Sequence, residues 1–250
     1  MNIRDIKYKI NVLFNINKLT NTMSMISFSK MNKFHKKFII LKYLYLETKK
    51  IINEVYLLNL NYKKNCCILI TTNKGFCGSI NNESIKYCLK FLKNNKNLDI
   101  IIIGKKSIDF FKKKNINIKK KIFFNEKNEI EFDNITLNFL KNYNNIFFIS
   151  NKIIKNQIKT IKTNLFEKNK KNFYEKNINY KKLFKKYLND SLNYLFNENY
   201  FCELKLRMIT MKSASDNSNK IIKSMKILKN KIRQFKVTQD MLEIINGNCI

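Results

Sequence analysis

Proline is absent from all 250 residues, and the first of only four glycines is Gly75. Nothing before Gly75 ends a helix by covalent geometry, so long helices are allowed wherever the apolar spacing supports them. It does so at once. Ile3, Ile6, Ile10 and Leu13 recur at steps of three and four. A second stripe follows at Met31, Phe34, Phe38, Leu41, Tyr45, Ile52 and Val55, with Thr48 filling its one gap. A stripe that keeps a 3.5-residue period seeks a partner helix. Between the stripes, Thr20–Lys30 reads TNTMSMISFSK, small and hydroxylated. Such a patch either lets another surface approach closely or marks a stutter in a coiled coil.

The last fifty residues carry a matching pattern. Met225, Leu228, Ile232, Phe235 and Leu242 step through a heptad, with Gln239 as the one polar member, and Leu204, Met208 and Met211 continue the stripe upstream. Ser213–Ser218 (SASDNS) interrupts it with residues like those of the N-terminal patch, so the two patches are expected to face each other. A helix of roughly 55 residues at about 1.5 Å per residue is on the order of 80 Å long, far more than the width of a small domain. The ends are expected to project as a rod.

From Cys66 the pattern changes. CCILITT is strand-like, GFCG is a turn, and Ile80–Leu92 has helical spacing. The unit repeats with a strand at Asp99–Ile103, a turn at Gly104 and a helix that begins with Ile108–Phe111 and ends in Lys112–Lys114. Ile116–Phe124 then reads as a strand, Ile135–Tyr143 as a helix and Ile146–Ser150 as a strand, while 151–180 reads as a loop-like return. Alternating β and α predicts an open, largely parallel sheet.

Composition limits partners more than it limits folds. The net charge of +32 predicts a polyanion-attracting surface, but half the chain is Lys, Asn and Ile, so the charge follows compositional bias. Only Arg4, Arg207 and Arg233 supply the planar guanidinium fork that suits buried carboxylates. No apolar run approaches the ~18 residues of a membrane span, and the N-terminus has no continuous apolar segment of the secretory kind. A cytoplasmic protein is expected. The six cysteines include no C-x-x-C pair and His35 is the one histidine, so neither a metal nor a disulfide framework is expected. Gly75–Gly78 is not G-x-G-x-x-G, and no phosphate-binding P-loop pattern occurs. Cys77 lacks a base within reach, and Glu129 and Glu131 lie in an apparent loop. The Lys runs 112–114 and 119–121, with nearby aromatics, support one rival reading, a Lys-rich nucleic-acid-binding protein. Otherwise the chain reads as a two-helix rod on a compact α/β body with no enzyme site.

Three segments sharpen that reading. DIKYKINVLFNINKLTNTMSMISFSKM, TTNKGFCGSIN and LRMITMKSASDNSNKIIKSMKILKNKIRQFKVTQDMLEI together resemble the gamma subunits of F-type ATP synthases, in the same order along the chain. The most specific element is R-M-x-x-M-K-x-A-x-D-N with a later R-Q and T-Q-x-x-x-E-I. It is matched by Arg207, Met208, Met211, Lys212, Ala214, Asp216, Asn217, Arg233, Gln234, Thr238, Gln239, Glu243 and Ile244.

The resemblance implies a non-catalytic central rotor with no cofactor. Its terminal helices would form an antiparallel coiled coil inside a hexamer of alternating alpha and beta subunits, which hold the catalytic sites. A small Rossmann-like α/β body without a nucleotide site would sit beside the membrane ring of c subunits. The expected divisions are 1–62 for the N-terminal helix, 63–175 for the body and 176–250 for the C-terminal helix. Rotation would couple proton flow to ATP synthesis, with one copy per complex, an epsilon subunit as a further partner and no specific nucleic acid. The expected location is peripheral, on the cytoplasmic face of a bacterial inner membrane.

By the same resemblance, Arg233 and Gln234 match the pair that meets the catch loop of a beta subunit. Lys18, Thr20 and Met23 match the segment near an acidic lever loop of beta, and Thr238 and Gln239 match the helix facing it. Phe173, Tyr174 and Glu175 resemble the segment that meets the membrane ring. Asn21 stands where the family is usually basic, Asn172 where it has an aromatic, and Lys176 where proline is common. No cysteine pair sits at the spacing of the plastid redox insertion, so thiol regulation is not expected.

Overall fold

A computed structural model describes residues 3–55, 64–95, 98–124, 134–140, 143, 145–155, 157–165 and 180–247. The chain divides into two compact units, Met1–Phe28 with Arg207–Ile250, and Ser29–Leu206. Two helices run through both. They are α1 (Ile3–Val55), of 53 residues, and α5 (Tyr180–Gly247), of 68. The expected divisions at 62/63 and 175/176 fall outside the described residues.

The unit Ser29–Leu206 is built on a five-stranded sheet of order β3-β2-β1-β4-β5. The strands are β1 (Asn65–Ile70), β2 (Leu98–Ile103), β3 (Lys120–Ile122), β4 (Ile146–Ile154) and β5 (Gln157–Asn164). β1 pairs in parallel with β2 and β4, and β2 with β3, while β5 returns antiparallel to β4. A strand covered on both faces can be apolar throughout. That is why NCCILI and LDIIII are near-continuous hydrophobic runs. The strand pleat sends Cys67, Leu69, Ile100 and Ile102 to one face, under α2 (Ile80–Lys93) and α3 (Lys105–Lys113), where Ile85, Cys88, Ile108 and Phe111 meet them. It sends Cys66, Ile68, Ile70, Ile101 and Ile103 to the other face, against Tyr45 and Ile52 of α1 and Phe184–Leu204 of α5.

Four expectations change. The strand expected over 116–124 shrinks to Lys120–Ile122, because Lys119–Lys121 interrupts the alternation and Ile116 and Ile118 pack under α2 and α3 outside the strand. The loop-like return contains a hairpin. β4 runs on to Ile154, Lys155 takes a left-handed turn conformation at φ 46°, and β5 pairs back through Ile154↔Gln157 to Phe147↔Asn164. The alternation in QIKTIKT was the signal, hidden by its lysines. The helix of the second βα unit starts at Lys105, directly after Gly104, and α4 (Asn134–Leu140) is shorter than the expected 135–143.

The unit Met1–Phe28 with Arg207–Ile250 is a helix pair. On α1 the buried and half-buried positions include Ile3, Ile6, Ile10, Leu13, Asn17, Thr20, Ser24 and Ser27, alternating steps of three and four without a break. The hydroxylated patch is therefore no stutter; it occupies the seam in register. On α5 the matching seam is Met208, Met211, Ser215, Ser218, Ile222, Met225, Lys229 and Ile232. This corrects the expected heptad, since Leu228, Phe235 and Leu242 are exposed. The two patches do meet. The Asn17 amide donates to the Ser215 carbonyl at 2.7 Å, the Ser215 hydroxyl at 3.1 Å and the Ser218 hydroxyl at 2.9 Å. Ser24 donates to the Met208 carbonyl at 3.2 Å, which requires close backbone approach and a small residue.

Gly104 has φ +108°, and a Cβ built there would lie 2.3 Å from the Thr71 carbonyl oxygen. Gly104→Ala is expected to destabilise the sheet unit by about 2–4 kcal/mol, because both the conformation and the space are denied to a side chain. Urea unfolding followed by circular dichroism measures this.

Candidate interaction site on the helical unit

Every described residue of α5 after Ile232, from Arg233 to Gly247, is exposed. The contacts of Asn17 with Ser218 and of Ser24 with Met208 set an antiparallel pairing in which Ile3, the first described residue of α1, lies level with α5 near Ile232. The stretch beyond, about 22 Å of helix at ~1.5 Å per residue, is covered by no described residue of this unit. It is nevertheless rich in large apolar side chains: Phe235 (71% exposed), Val237, Met241, Leu242, Ile244 and Ile245. Patches of this kind mark interaction surfaces.

Arg233 and Gln234 begin this stretch, both exposed. The Gln234 carbonyl accepts from Thr238 Oγ1 at 3.0 Å, and Gln239 Nε2 donates to Glu243 Oε1 at 3.1 Å, so both bonds stay within the helix. The seven residues expected to meet a beta subunit form two groups. Lys18, Thr20 and Met23 lie level with α5 residues near 208–218 by the contacts of Asn17 and Ser24, at least about 22 Å along the helix from Arg233. Lys18 is exposed, Met23 is 46% exposed, and Thr20 is half-buried with its hydroxyl donated to the Ile16 and Asn17 carbonyls. Beside this group the small seam residues leave a groove of about 660 Å³, bordered by Ser24, Met25, Phe28, Met208, Lys212 and Asp216. Only the combination of seam register with residue size reveals it, which apolar spacing alone did not. Phe173, Tyr174 and Glu175 lie outside the described residues.

In the sheet unit, the place where doubly wound sheets hold nucleotides is the crevice beyond the carboxyl ends of the strands at which the strand order reverses, here β1 and β4. That crevice is filled. Cys77 and Ile80 from the turn and α2 pack with Cys202 of α5, and Ile153, Ile158 and Leu206 close around them. Asn81 satisfies the strand end, accepting from the Thr72 amide at 3.1 Å and donating to its hydroxyl at 2.7 Å. Beneath, buried Asn151 donates from Nδ2 to Ser84 Oγ and to Asn199 Oδ1, both at 2.8 Å, and accepts from Thr160 at 2.7 Å. The five described cysteines are buried thiols. Burial first, then the charge of Glu198, pushes Cys202 up to about 12, so a thiolate is disfavoured there. His35 is exposed and leans on the Phe201 ring, with centroids 5.7 Å apart. Among the described residues no three metal-ligand side chains cluster, and no helix is long and apolar enough to cross a membrane.

A two-helix coil with a bare apolar end, and a doubly wound sheet whose ligand crevice is plugged, define a stalk-like scaffold. The sequence pattern of the family described as ATP synthase matches residues 2–248. The ATP synthase gamma chain of Buchnera aphidicola subsp. Schlechtendalia chinensis is 33% identical over 283 residues, covering 98% of this chain and 96% of the relative. That of Francisella tularensis strain SCHU S4 is 27% identical over 295 residues, covering 98% of each. Among solved structures, a chain of the Euglena gracilis mitochondrial ATP synthase (OSCP/F1/c-ring, rotational state 3) matches with a TM-score of 0.73 at 16% identity, covering 99% of this chain and 93% of that one. A chain from the rotor of the same enzyme, rotational state 1, gives 0.66 at 15% identity, covering 94% and 98%. This chain belongs to the ATP synthase gamma-chain family, the non-catalytic central rotor stalks of F-type ATP synthases.

Glu198 is buried on α5, with its carboxylate 3.6 Å from Lys152 Nζ. Burial raises its pKa above the ordinary carboxylate value, and the Lys152 charge opposes this only in part. A raised folded-state pKa contributes stability that is present at low pH and lost as pH rises from about 4.5 through the folded value. Glu198→Gln is therefore expected to flatten the fall in stability between weakly acidic and neutral pH, as read by urea midpoints across that range.

Proposed function

We propose that this chain turns as the central shaft of an F-type ATP synthase, coupling proton flow through a c-subunit ring to ATP synthesis at an alpha/beta hexamer. One observation carries the reading: α5 is a single 68-residue helix that is a core member of the sheet unit at one end and a bare apolar helix at the other. An uninterrupted hydrogen-bonded helix is the simplest element that can carry a rotation along its length. The bare end supplies apolar surface to turn within a collar of partner subunits.

In this reading the shaft makes and breaks no covalent bond. It is asymmetric, with two helices up to Ile232 and one beyond, so each orientation presents a different surface to each of three beta subunits. A partner that binds their states unequally shifts their populations, and rotation moves that bias from one site to the next. The Arg233 guanidinium offers a charge-assisted, two-pronged contact to a carboxylate of the catch loop, with the Gln234 amide beside it. Thr238 and Gln239, further along the exposed stretch of α5, face the lever loop of beta. Lys18, Thr20 and Met23 meet an acidic lever loop of beta lower on the rod. Phe173, Tyr174 and Glu175 contact the polar loops of the membrane ring on the strength of the family resemblance.

In functional terms, residues 1–62 and 176–250 form the shaft and 63–175 the body that engages the ring and the epsilon subunit, one copy per complex. The location is peripheral, on the cytoplasmic face of a bacterial inner membrane. Family membership leaves the nucleic-acid reading without support. The Lys runs 112–114 and 119–121 fall at the end of α3 and at β3, which is an edge strand where lysine discourages further strand pairing.

The test is ATPase turnover of the cognate alpha and beta subunits with and without this chain, after size-exclusion chromatography in moderate salt with nuclease. Co-elution at one copy per hexamer with raised turnover is expected; no co-elution and no change in turnover overturns the reading. In the assembled complex, Arg233→Ala is expected to lower turnover about tenfold, the order of one lost charged hydrogen bond. Its circular-dichroism melt should be unchanged, because Arg233 is exposed.

A further inference from the structure

Many of the contacts that hold α5 repeat every seven residues, and a repeating contact does not fix a register. In the sheet unit, Tyr45 stacks on Tyr187 at 6.2 Å and on Tyr194 at 4.8 Å, while Phe38 stacks on Tyr194 at 5.7 Å and on Phe201 at 6.1 Å. The rungs are seven residues apart on both helices, so sliding α5 by seven residues brings aromatic onto aromatic again. In the helical unit the seam rows of α5 are likewise spaced by seven: Met208, Ser215, Ile222, and Met211, Ser218, Met225.

Several contacts break the repeat, among them Phe34 on Tyr200, Phe124 on Phe196 and Lys152 with Glu198, and two of them are made by side-chain amides. Asn199 is the polar member of the row Leu192, Asn199, Leu206, and its Oδ1 accepts from the backbone N–H of Asn151 at 3.2 Å and from its Nδ2 at 2.8 Å. Both residues are buried. Asn17 is the amide of the α1 seam, and it donates to Ser215 and Ser218. A seven-residue slide in either direction would set a leucine against Asn151, and Met208 or Ile222 against Asn17. Buried Asn151 and half-buried Asn17 would then lose the partners they have here, a cost that folded proteins avoid. A single buried asparagine in an apolar seam is the best-attested register device in helix packing.

We infer that Asn17 and Asn199 are positioning residues that lock the axial register of α5. They thereby fix how far Arg233 and Gln234 stand beyond the start of α1. A slide of seven residues moves that pair by roughly 10 Å along the axis. The lock itself rests on packing alone, whereas its consequence for turnover rests on the rotor reading.

The test uses the full chain with spin labels at Lys9→Cys and Lys223→Cys, two exposed positions on α1 and α5. Labels are added under native conditions in a Cys249→Ser background, where the five buried cysteines react slowly. Pulsed dipolar spectroscopy then reads the distance distribution in wild type, in each single Asn→Leu variant and in the Asn17→Leu, Asn199→Leu pair. Wild type is expected to give one narrow population. The double variant is expected to give a second population displaced by an axial slide of roughly 10 Å, and each single variant to stay narrow because the other lock holds. The milder Asn17→Ser, Asn199→Ser pair, which removes the amides without adding bulk, is measured in parallel, with circular-dichroism melts to show that both are folded. A single wild-type distance in both folded double variants overturns the inference. In the assembled complex the slid form is expected to lose turnover by at least roughly tenfold, since misplaced contacts far from the chemistry can cost that much. A shifted distance with unchanged turnover would leave the lock standing and count against the rotor role of Arg233 and Gln234.

Discussion

Ten consecutive residues of α5, Ser191–Tyr200, are buried, which means that this helix has no solvent face over nearly three turns. A helix in that position must be covered on every side. The sheet face of Ile68, Ile70, Ile103 and Phe148 covers one flank, and Phe38 and Tyr45 of α1 cover another. The sheet order, the placement of α2 and α3 on the opposite face and the return of β5 along β4 are all consistent with keeping one face clear for α5. The polar residues within the buried stretch, among them Asn193, Asn197, Glu198 and Asn199, bring hydrogen-bonding requirements into the core. Asn199 finds its partner in Asn151, and Asn197 donates to the Asn193 carbonyl at 2.7 Å.

The rod follows from a different balance. Large apolar residues dominate the α1 seam at Met31–Tyr45 and give way to Asn17, Thr20, Ser24 and Ser27 in the helical unit. The hydroxyls of Thr20 and Ser27 bond to their own helix, to Ile16 and Asn17 and to Met23, which removes the cost of burying them. Small, self-satisfied side chains let the helices approach until Ser24 reaches the opposite backbone. The coil there gains less from hydrophobic burial and more from close contact and polar matching than a leucine-rich seam would.

How much of this was legible depends on which physical term dominated. The buried parallel strands could be read directly, because CCILI and IIII have no competing period. Both long helices could be read because no glycine or proline interrupts them. The second seam was misread at Leu228, Phe235 and Leu242. These residues keep an apolar spacing on α5, but the described residues of α1 reach only as far as Ile232, and a seam exists only where a partner does. The β5 strand was missed because its lysines hid the alternation of Ile158, Thr160 and Lys162 with their neighbours. Arg233 and Gln234 were legible only by resemblance. An exposed pair on a helix carries no signal in spacing or burial until its partner is known. The register locks were invisible for the opposite reason, since Asn is the second commonest residue in this chain and only its position in a seam distinguishes Asn17 from the rest.

The plugged crevice of the sheet unit has a consequence for a machine that works amid its own fuel. Folds of this architecture commonly change shape when a nucleotide enters at the strand ends. Here Cys77, Ile80 and Cys202 have taken that volume, and the backbone amides of Thr72 and Asn151 are committed to Asn81 and Asn199. At these strand ends the volume is taken by side chains of the chain itself, so the sheet unit is braced from within.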